Sequence, residues 1–229
     1  MRSRFKFIDR GFEDNILLIP GWAADYRIFS ALELNYNYLL PLEFNPFDFE
    51  EDLLEFISSV SINHLSLFGW SLGAYLAAGI AAHNPEKIKE LIMLSVRQSY
   101  PPEVLESIGL KLKKNKKAYL YKFYQDCFSR DEKAGLGWLK DNLLKDYLEE
   151  MELEELLIGL DYLSRAKIET ELLTGINNMK IFHGLGDRVA PFDEAEAVAL
   201  RLPGVKFIAM HNTGHIPFLS PDFKEKFNG

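Results

Sequence analysis

Short apolar runs rich in Ile, Leu, Phe and Val alternate along the chain with stretches whose apolar residues recur at helical spacing. The runs predict strands over residues 5–8, 16–19, 38–42, 65–68, 91–94, 179–182 and 205–210, several bounded by Gly, Pro or Asn. Runs near the middle are apolar at successive positions, as strands covered on both faces should be. Helices are predicted over 50–60, 72–83, 192–201 and 217–227. Asp193 and Glu194 near the start of the third suit the positive end of its dipole. Strand–helix alternation of this kind predicts an α/β fold with a mainly parallel central sheet and helices on both faces.

The alternation stops between Pro101-Pro102 and Gly175-Ile176-Asn177-Asn178. In between, Tyr119, Phe123, Tyr124 and Phe128 recur at helical spacing, as do Leu153, Leu156, Leu157, Leu160 and Leu163. Residues 1–99 and 177–229 are therefore expected to form the α/β core, with 100–176 inserted as a helical lid. A length of 229 residues suits one hydrophobic core with a modest insertion. No internal repeat, low-complexity tract or flexible linker suggests a scaffold.

Composition changes this picture little. Apolar residues make up 48% and charged residues 26%, as in ordinary globular proteins. Runs such as 16–20 and 76–82 are far shorter than the roughly 20 residues of a membrane span. The basic N-terminal stretch leads into Asp9, Arg10, Glu13 and Asp14 instead of an apolar signal core. One cysteine, Cys127, fits a reducing compartment. The expectation is a cytoplasmic monomer with no membrane association. A net charge of −8 argues against nucleic-acid binding, which needs a basic face. Lys111, Lys113, Lys114, Lys116 and Lys117 stand out, five lysines within seven residues of an acidic chain.

The sharpest chemical signal is Gly69-Trp70-Ser71-Leu72-Gly73-Ala74, set between an apolar strand and a helix of small residues. A serine on such a tight turn is raised above the strand end, provided that the side chains two before and two or three after it are tiny. Gly69, Gly73 and Ala74 meet that demand. The helix then directs its dipole and free N–H groups at the reacting centre. A hydroxyl needs a base, and the base an orienting acid, expected in the order Ser, acid, His. Asp187 lies in the Gly-rich loop after the sixth predicted strand. Among five histidines only His215 follows the last strand, beside Gly214 and ahead of Pro217. His64 opens a strand, His83 ends a helix where it can meet the dipole, and His183 and His211 at strand ends read as structural. Asp193 and Glu194 read as helix-start residues. Cys127 reads as a small buried side chain. The oxyanion hole is expected from the N–H groups of Leu72 and of Trp22, in the loop after residues 16–19. The Trp22 and Trp70 side chains are expected to wall the acyl pocket, a reading compatible with simple apolar packing.

With these residues assembled, the chain resembles the α/β-hydrolases over nearly its whole length, and among them the biotin-pathway pimeloyl-ACP methyl ester carboxylesterases. The resemblance rests on Leu18-Ile19-Pro20-Gly21-Trp22, Gly69-Trp70-Ser71-Leu72-Gly73, Gly186-Asp187 with Val189 and Pro191, and Gly214-His215 with Pro217-Phe218. That family usually carries His-Gly where this chain has Pro20-Gly21, and residues 100–176 show no close match. The resemblance implies a serine carboxylesterase with nucleophile Ser71, acid Asp187 and base His215, acting on the methyl ester of an acyl chain tethered to acyl carrier protein. It also implies docking of that acidic carrier on basic lid residues, a role open to the five lysines. A solvated helix face compensating the acids at 149–155 accounts for them equally. No metal or organic cofactor is expected, since no ligand spacing suggests one. The alternatives are a general carboxylesterase or thioesterase of small acyl substrates, a non-catalytic ligand-binding version of the fold, and a carrier-protein scaffold.

Overall fold

Because the central apolar runs have no water-facing side, they can pair only within a sheet covered on both faces. In the computed structural model, which describes residues 4–43 and 45–229, they do so. Residues 1–3, the start of the stretch read above against a signal sequence, lie outside the described residues. The strands are β1 (Phe5–Ile8), β2 (Asn15–Ile19), β3 (Asn37–Pro41), β4 (Leu65–Trp70), β5 (Ile88–Leu94), β6 (Met179–Gly184) and β7 (Lys206–Met210). They form one sheet in the order β1-β3-β2-β4-β5-β6-β7. Among the described residues, only the β1–β3 pairing is antiparallel. Helices cover both faces, and the architecture is the α/β-hydrolase fold.

β4 and β6 each run two residues beyond the predicted apolar stretch, through Gly69-Trp70 and His183-Gly184. Ladder hydrogen bonds use the main chain, so a Gly or a buried His extends a strand that hydropathy alone would end. These extensions carry the strands to the edge where the functional loops begin.

α1 (Phe49–Ser59) buries Phe49, Leu53 and Ile57, one stripe at a spacing of four. α2 (Leu72–His83) packs on β4 and β5 and is buried nearly all round, which its Ala and Gly content permits. Between β5 and β6 lie α3 (Pro102–Asp126), α4 (Lys133–Asn142), α5 (Leu144–Glu150) and α6 (Leu153–Arg165). α3 is kinked at Asn115, whose extended backbone stops one helix while its side chain accepts the Ala118 N–H at 3.0 Å and starts the next. Leu105, Leu120, Tyr124, Leu156 and Leu160 from this segment join the same apolar cluster as the strands, so the described residues share one continuous core. α7 (Phe192–Ala199) follows β6.

The helix predicted over 217–227 is two pieces, a 3-10 turn at Pro217–Leu219 and α8 (Phe223–Asn228). Pro221 has no N–H to donate and holds Ser220 in extended backbone, which separates them.

Candidate active site

Ser71 sits between the last residue of β4 and the first of α2 with φ 54° and ψ −115°. A non-glycine residue in that region costs about 1–3 kcal/mol and persists only where its surroundings fix it. Here its N–H donates to the Leu94 carbonyl and its own carbonyl accepts the Ala74 N–H, both at 2.9 Å. The turn is closed so tightly that a Cβ on Gly69 would lie 2.3 Å from the Gly73 carbonyl oxygen, and one on Gly73 2.3 Å from that of Ile19. The small residues are required by sterics.

His215, in the loop after β7, brings its Nε2 to 2.9 Å from Ser71 Oγ. Its Nδ1 lies 2.7 Å from Asp187 Oδ2. The other carboxylate oxygen of Asp187 accepts the N–H groups of Val189 and Ala190 at 2.8 and 2.9 Å. Burial works to raise the Asp187 carboxyl, but the attraction and hydrogen bond of His215, with a smaller share from His183, outweigh it and hold the group below its ordinary range. An ionised Asp187 accepting Nδ1–H leaves the Nε2 lone pair facing the serine hydroxyl, the tautomer that proton abstraction needs.

The His215 main chain is held as firmly as its ring. Its carbonyl accepts Trp70 Nε1–H at 2.6 Å and the Ser95 hydroxyl at 2.8 Å, and its N–H donates to the Cys127 carbonyl at 2.7 Å. Trp70 is thus buried beneath the histidine and is not part of the cavity described next. Trp22, by contrast, lines that cavity of about 580 Å³ together with Leu72, Arg27, Met151, Leu156 and Gly159. Its indole donates to the Leu156 carbonyl at 2.9 Å and packs edge-on against Phe123. Neither the Trp22 nor the Leu72 main-chain N–H is taken up in a loop or turn hydrogen bond among the described residues. Leu72 heads α2, where the first N–H groups lack helical partners.

The remaining candidates fall elsewhere. His64 and His211 are exposed. His83 pairs through Nδ1 with the Glu50 carboxylate at 2.9 Å, a partner beyond the helix dipole expected for it. His183 is fully buried, donates Nε2–H to the Ala190 carbonyl at 2.9 Å and lies 3.5 Å from Asp187 Oδ2, so this strand-end histidine borders the site. Burial pushes the Cys127 thiol far above its ordinary range, which leaves it unsuited to attack. Among the described residues, no group of three or more His, Cys, Asp or Glu is placed to hold a metal ion. No described helix is long and apolar enough to cross a membrane.

The lysines lie along α3 on either side of its kink. Lys116 donates to the Met151 carbonyl and Lys117 to the Glu149 carboxylate, while Lys111, Lys113 and Lys114 are exposed on the preceding turns. Two of the five are therefore already engaged by the α5–α6 junction.

Glu132, which drew no attention in the sequence, accepts the N–H groups of Ser129 and Gly214, each at 2.6 Å. Half of this was readable: in Ser129-Arg130-Asp131-Glu132 a carboxylate three residues on can turn back to the serine N–H and close a local turn ahead of α4. The reach to Gly214, 82 positions away, was not.

No protein-family model matches the chain. It is 27% identical to a pimeloyl-acyl-carrier-protein methyl ester esterase of Nitrosomonas europaea over 189 residues, covering 77% of this chain and 73% of the relative. A protein of that name from Yersinia enterocolitica is 23% identical, with 90% and 88% covered. Among solved structures, an esterase from Exiguobacterium antarcticum superposes with a TM-score of 0.79 at 18% identity, covering 97% of this chain and 92% of that one. A bromoperoxidase from Bacillus anthracis gives 0.81 at 16%, with 98% and 93% covered.

Proposed function

We propose, from the premise that this chain is an enzyme of the α/β-hydrolase superfamily, that it is a serine carboxylesterase acting on the methyl ester of a carrier-bound acyl chain. The observation that carries the hydrolase chemistry is the unbroken relay from Asp187 through His215 to Ser71, with contacts of 2.7 and 2.9 Å. His215 Nε2 takes the Ser71 proton as the serine oxygen attacks the ester carbonyl, and Asp187 stabilises the imidazolium. The N–H groups of Trp22 and Leu72 receive the developing oxyanion. His215 returns the proton to the departing alcohol oxygen. Water then loses a proton to His215 and attacks the acyl-enzyme; as the intermediate collapses, His215 returns that proton to the departing Ser71 oxygen and the carboxylate is released.

The finer assignment, pimeloyl-ACP methyl ester as substrate, is supported by the names of the curated relatives and by exposed Lys111, Lys113 and Lys114 on α3, available to an acidic carrier. In this reading residues 100–176 form the lid over the Trp22 side of the site. Two arms test it. Incubating the enzyme with methyl pimeloyl-ACP should remove the methyl group, seen as a 14 Da mass loss that is about 10⁴-fold slower or absent in Ser71→Ala. Reversing Lys113 and Lys114 to Glu should slow the carrier-bound ester and spare free short esters. Free-ester turnover without any on the carrier-bound ester favours the second reading, a general esterase or thioesterase of small acyl substrates, to which the engagement of Lys116 and Lys117 by Met151 and Glu149 lends weight. Failure of a fluorophosphonate to label the wild type would leave only a non-catalytic binding role.

A further inference from the structure

The seat of His215 is divided between two parts of the chain. Its carbonyl is held from the sheet by Trp70 and Ser95. The N–H groups of residues 214 and 215 are held from the turn joining α3 to α4, by Glu132 Oε2 at 2.6 Å and the Cys127 carbonyl at 2.7 Å. The Ser129 hydroxyl in the same turn donates to the Asn212 carbonyl at 2.7 Å. The approach is so close that a Cβ at position 214 would lie 2.5 Å from the Cys127 carbonyl oxygen and 2.8 Å from the Ser129 nitrogen. The turn reaches the acid loop as well, since Arg188 donates to the Phe128 carbonyl at 2.8 Å.

From this geometry we infer that Glu132 is a positioning residue for hydrolysis: its carboxylate ties Gly214 to the α3–α4 turn and so fixes the direction of the His215 imidazole between Asp187 and Ser71. The inference rests on the reading of those three residues as the reacting set. The bond from Ser129 closes a local turn ahead of α4; the bond from Gly214 spans 82 positions and lands on the residue next to the histidine. Both are charge-assisted, and such bonds are shorter and stronger than neutral ones. Burial holds the Glu132 carboxyl above its ordinary range, against the donors at Ser129 and Gly214, which favour its charged form. Without the acceptor, the loop between Thr213 and His215 is free to relax, and misplacement of a reacting group by about 1 Å costs on the order of a hundredfold in rate.

Fluorophosphonate labelling of Ser71 and steady-state hydrolysis of p-nitrophenyl butyrate, each with melting temperature, test this in Glu132→Asp, Glu132→Gln and Glu132→Ala. Asp keeps the charge but falls a methylene short of both donors, which share one carboxylate oxygen. It should lower kcat and the labelling rate by about tenfold to a hundredfold with KM within about twofold. Ala should do at least as much. Gln, with an acceptor oxygen at the same reach, should restore both rates to within about threefold of wild type. A folded Asp variant with wild-type rates overturns the inference, as does a Gln variant that loses as much rate as Ala. Should Ala not fold, the Asp–Gln pair decides. Labelling of the wild type reports on Ser71 independently of Glu132, so unlabelled wild type marks failure of the underlying reading, and rapid labelling of the folded Asp variant marks failure of this one.

Discussion

Ser71 and His215 meet at 2.9 Å, yet they are brought there by different kinds of force. The serine is placed by its immediate neighbours: strand, strained residue and helix follow one another without a gap, and the closeness of Gly69 and Gly73 to backbone atoms leaves no other path for the chain. The histidine is placed by groups from residues 70, 95, 127 and 132, all distant in the chain, each contributing one hydrogen bond to its loop. Steric exclusion between backbone atoms is all or none, whereas hydrogen bonds are worth about 0.5–1.5 kcal/mol each and can be removed singly. Damage at the elbow should therefore be abrupt, and damage around the histidine graded.

The largest effect expected is from Gly73→Ala. Alanine is the better helix former by about 1 kcal/mol. Its Cβ would nonetheless stand 2.3 Å from the Ile19 carbonyl oxygen, a central-strand atom with nowhere to go. Overpacking against backbone should cost about 3 kcal/mol or more, lowering the melting temperature by roughly 6–12 °C and abolishing fluorophosphonate labelling. A variant that melts and labels like wild type would remove the contrast.

Substitutions in the sheet-side half of the histidine seat should be milder. Trp70→Phe takes one donor from the His215 carbonyl and leaves Ser95 in place, for about 1–2 kcal/mol. Ser95→Ala removes the other donor, for about 1 kcal/mol. Thermal melts check the stability terms, and labelling should continue in both. If either single change silences Ser71, the sheet carries more of the seat than the α3–α4 turn, and the comparison with Glu132 is decided against the turn.

This difference also explains what the sequence made visible. The sheet was legible because strands buried on both faces must be apolar throughout, and the elbow because its sterics are written in six adjacent residues. Asp187 and His215 were legible from chain order and from the loops that carry them. The role of Trp70 was not: at the end of a strand with both faces covered, hydropathy does not say which face a side chain takes, and its indole turned out to serve the His215 carbonyl. Glu132 and the Cys127 carbonyl were hidden for the same reason, since a bond across 82 or more residues leaves no local pattern. The break in the helix over 217–227 was legible at Pro221 and went unread.

Asp187 could belong with either member of the comparison, and His183 distinguishes them. This imidazole lies 3.5 Å from Asp187 Oδ2 with both side chains fully buried. Burial holds His183 below its ordinary value against the pull of Asp187 and the Ala190 carbonyl, so it is neutral at pH 7. A base with a depressed folded value binds fewer protons folded than unfolded, so stability falls as pH drops through its unfolded value near 6.5. A carboxyl held low, like Asp187, loses its contribution only as pH drops below its own ordinary value of 3.8. The two windows are separate. His183→Gln, which can still donate to Ala190, should flatten the decline in melting temperature between pH 7 and 5 and leave the loss below pH 4 in place. Labelling at pH 7 should stay within about threefold of wild type, because Asp187 keeps three of its hydrogen bonds. An unchanged slope between pH 7 and 5 would refute the His183 assignment. A collapse of labelling would show that the acid, like the serine, is held by close packing that admits no substitution.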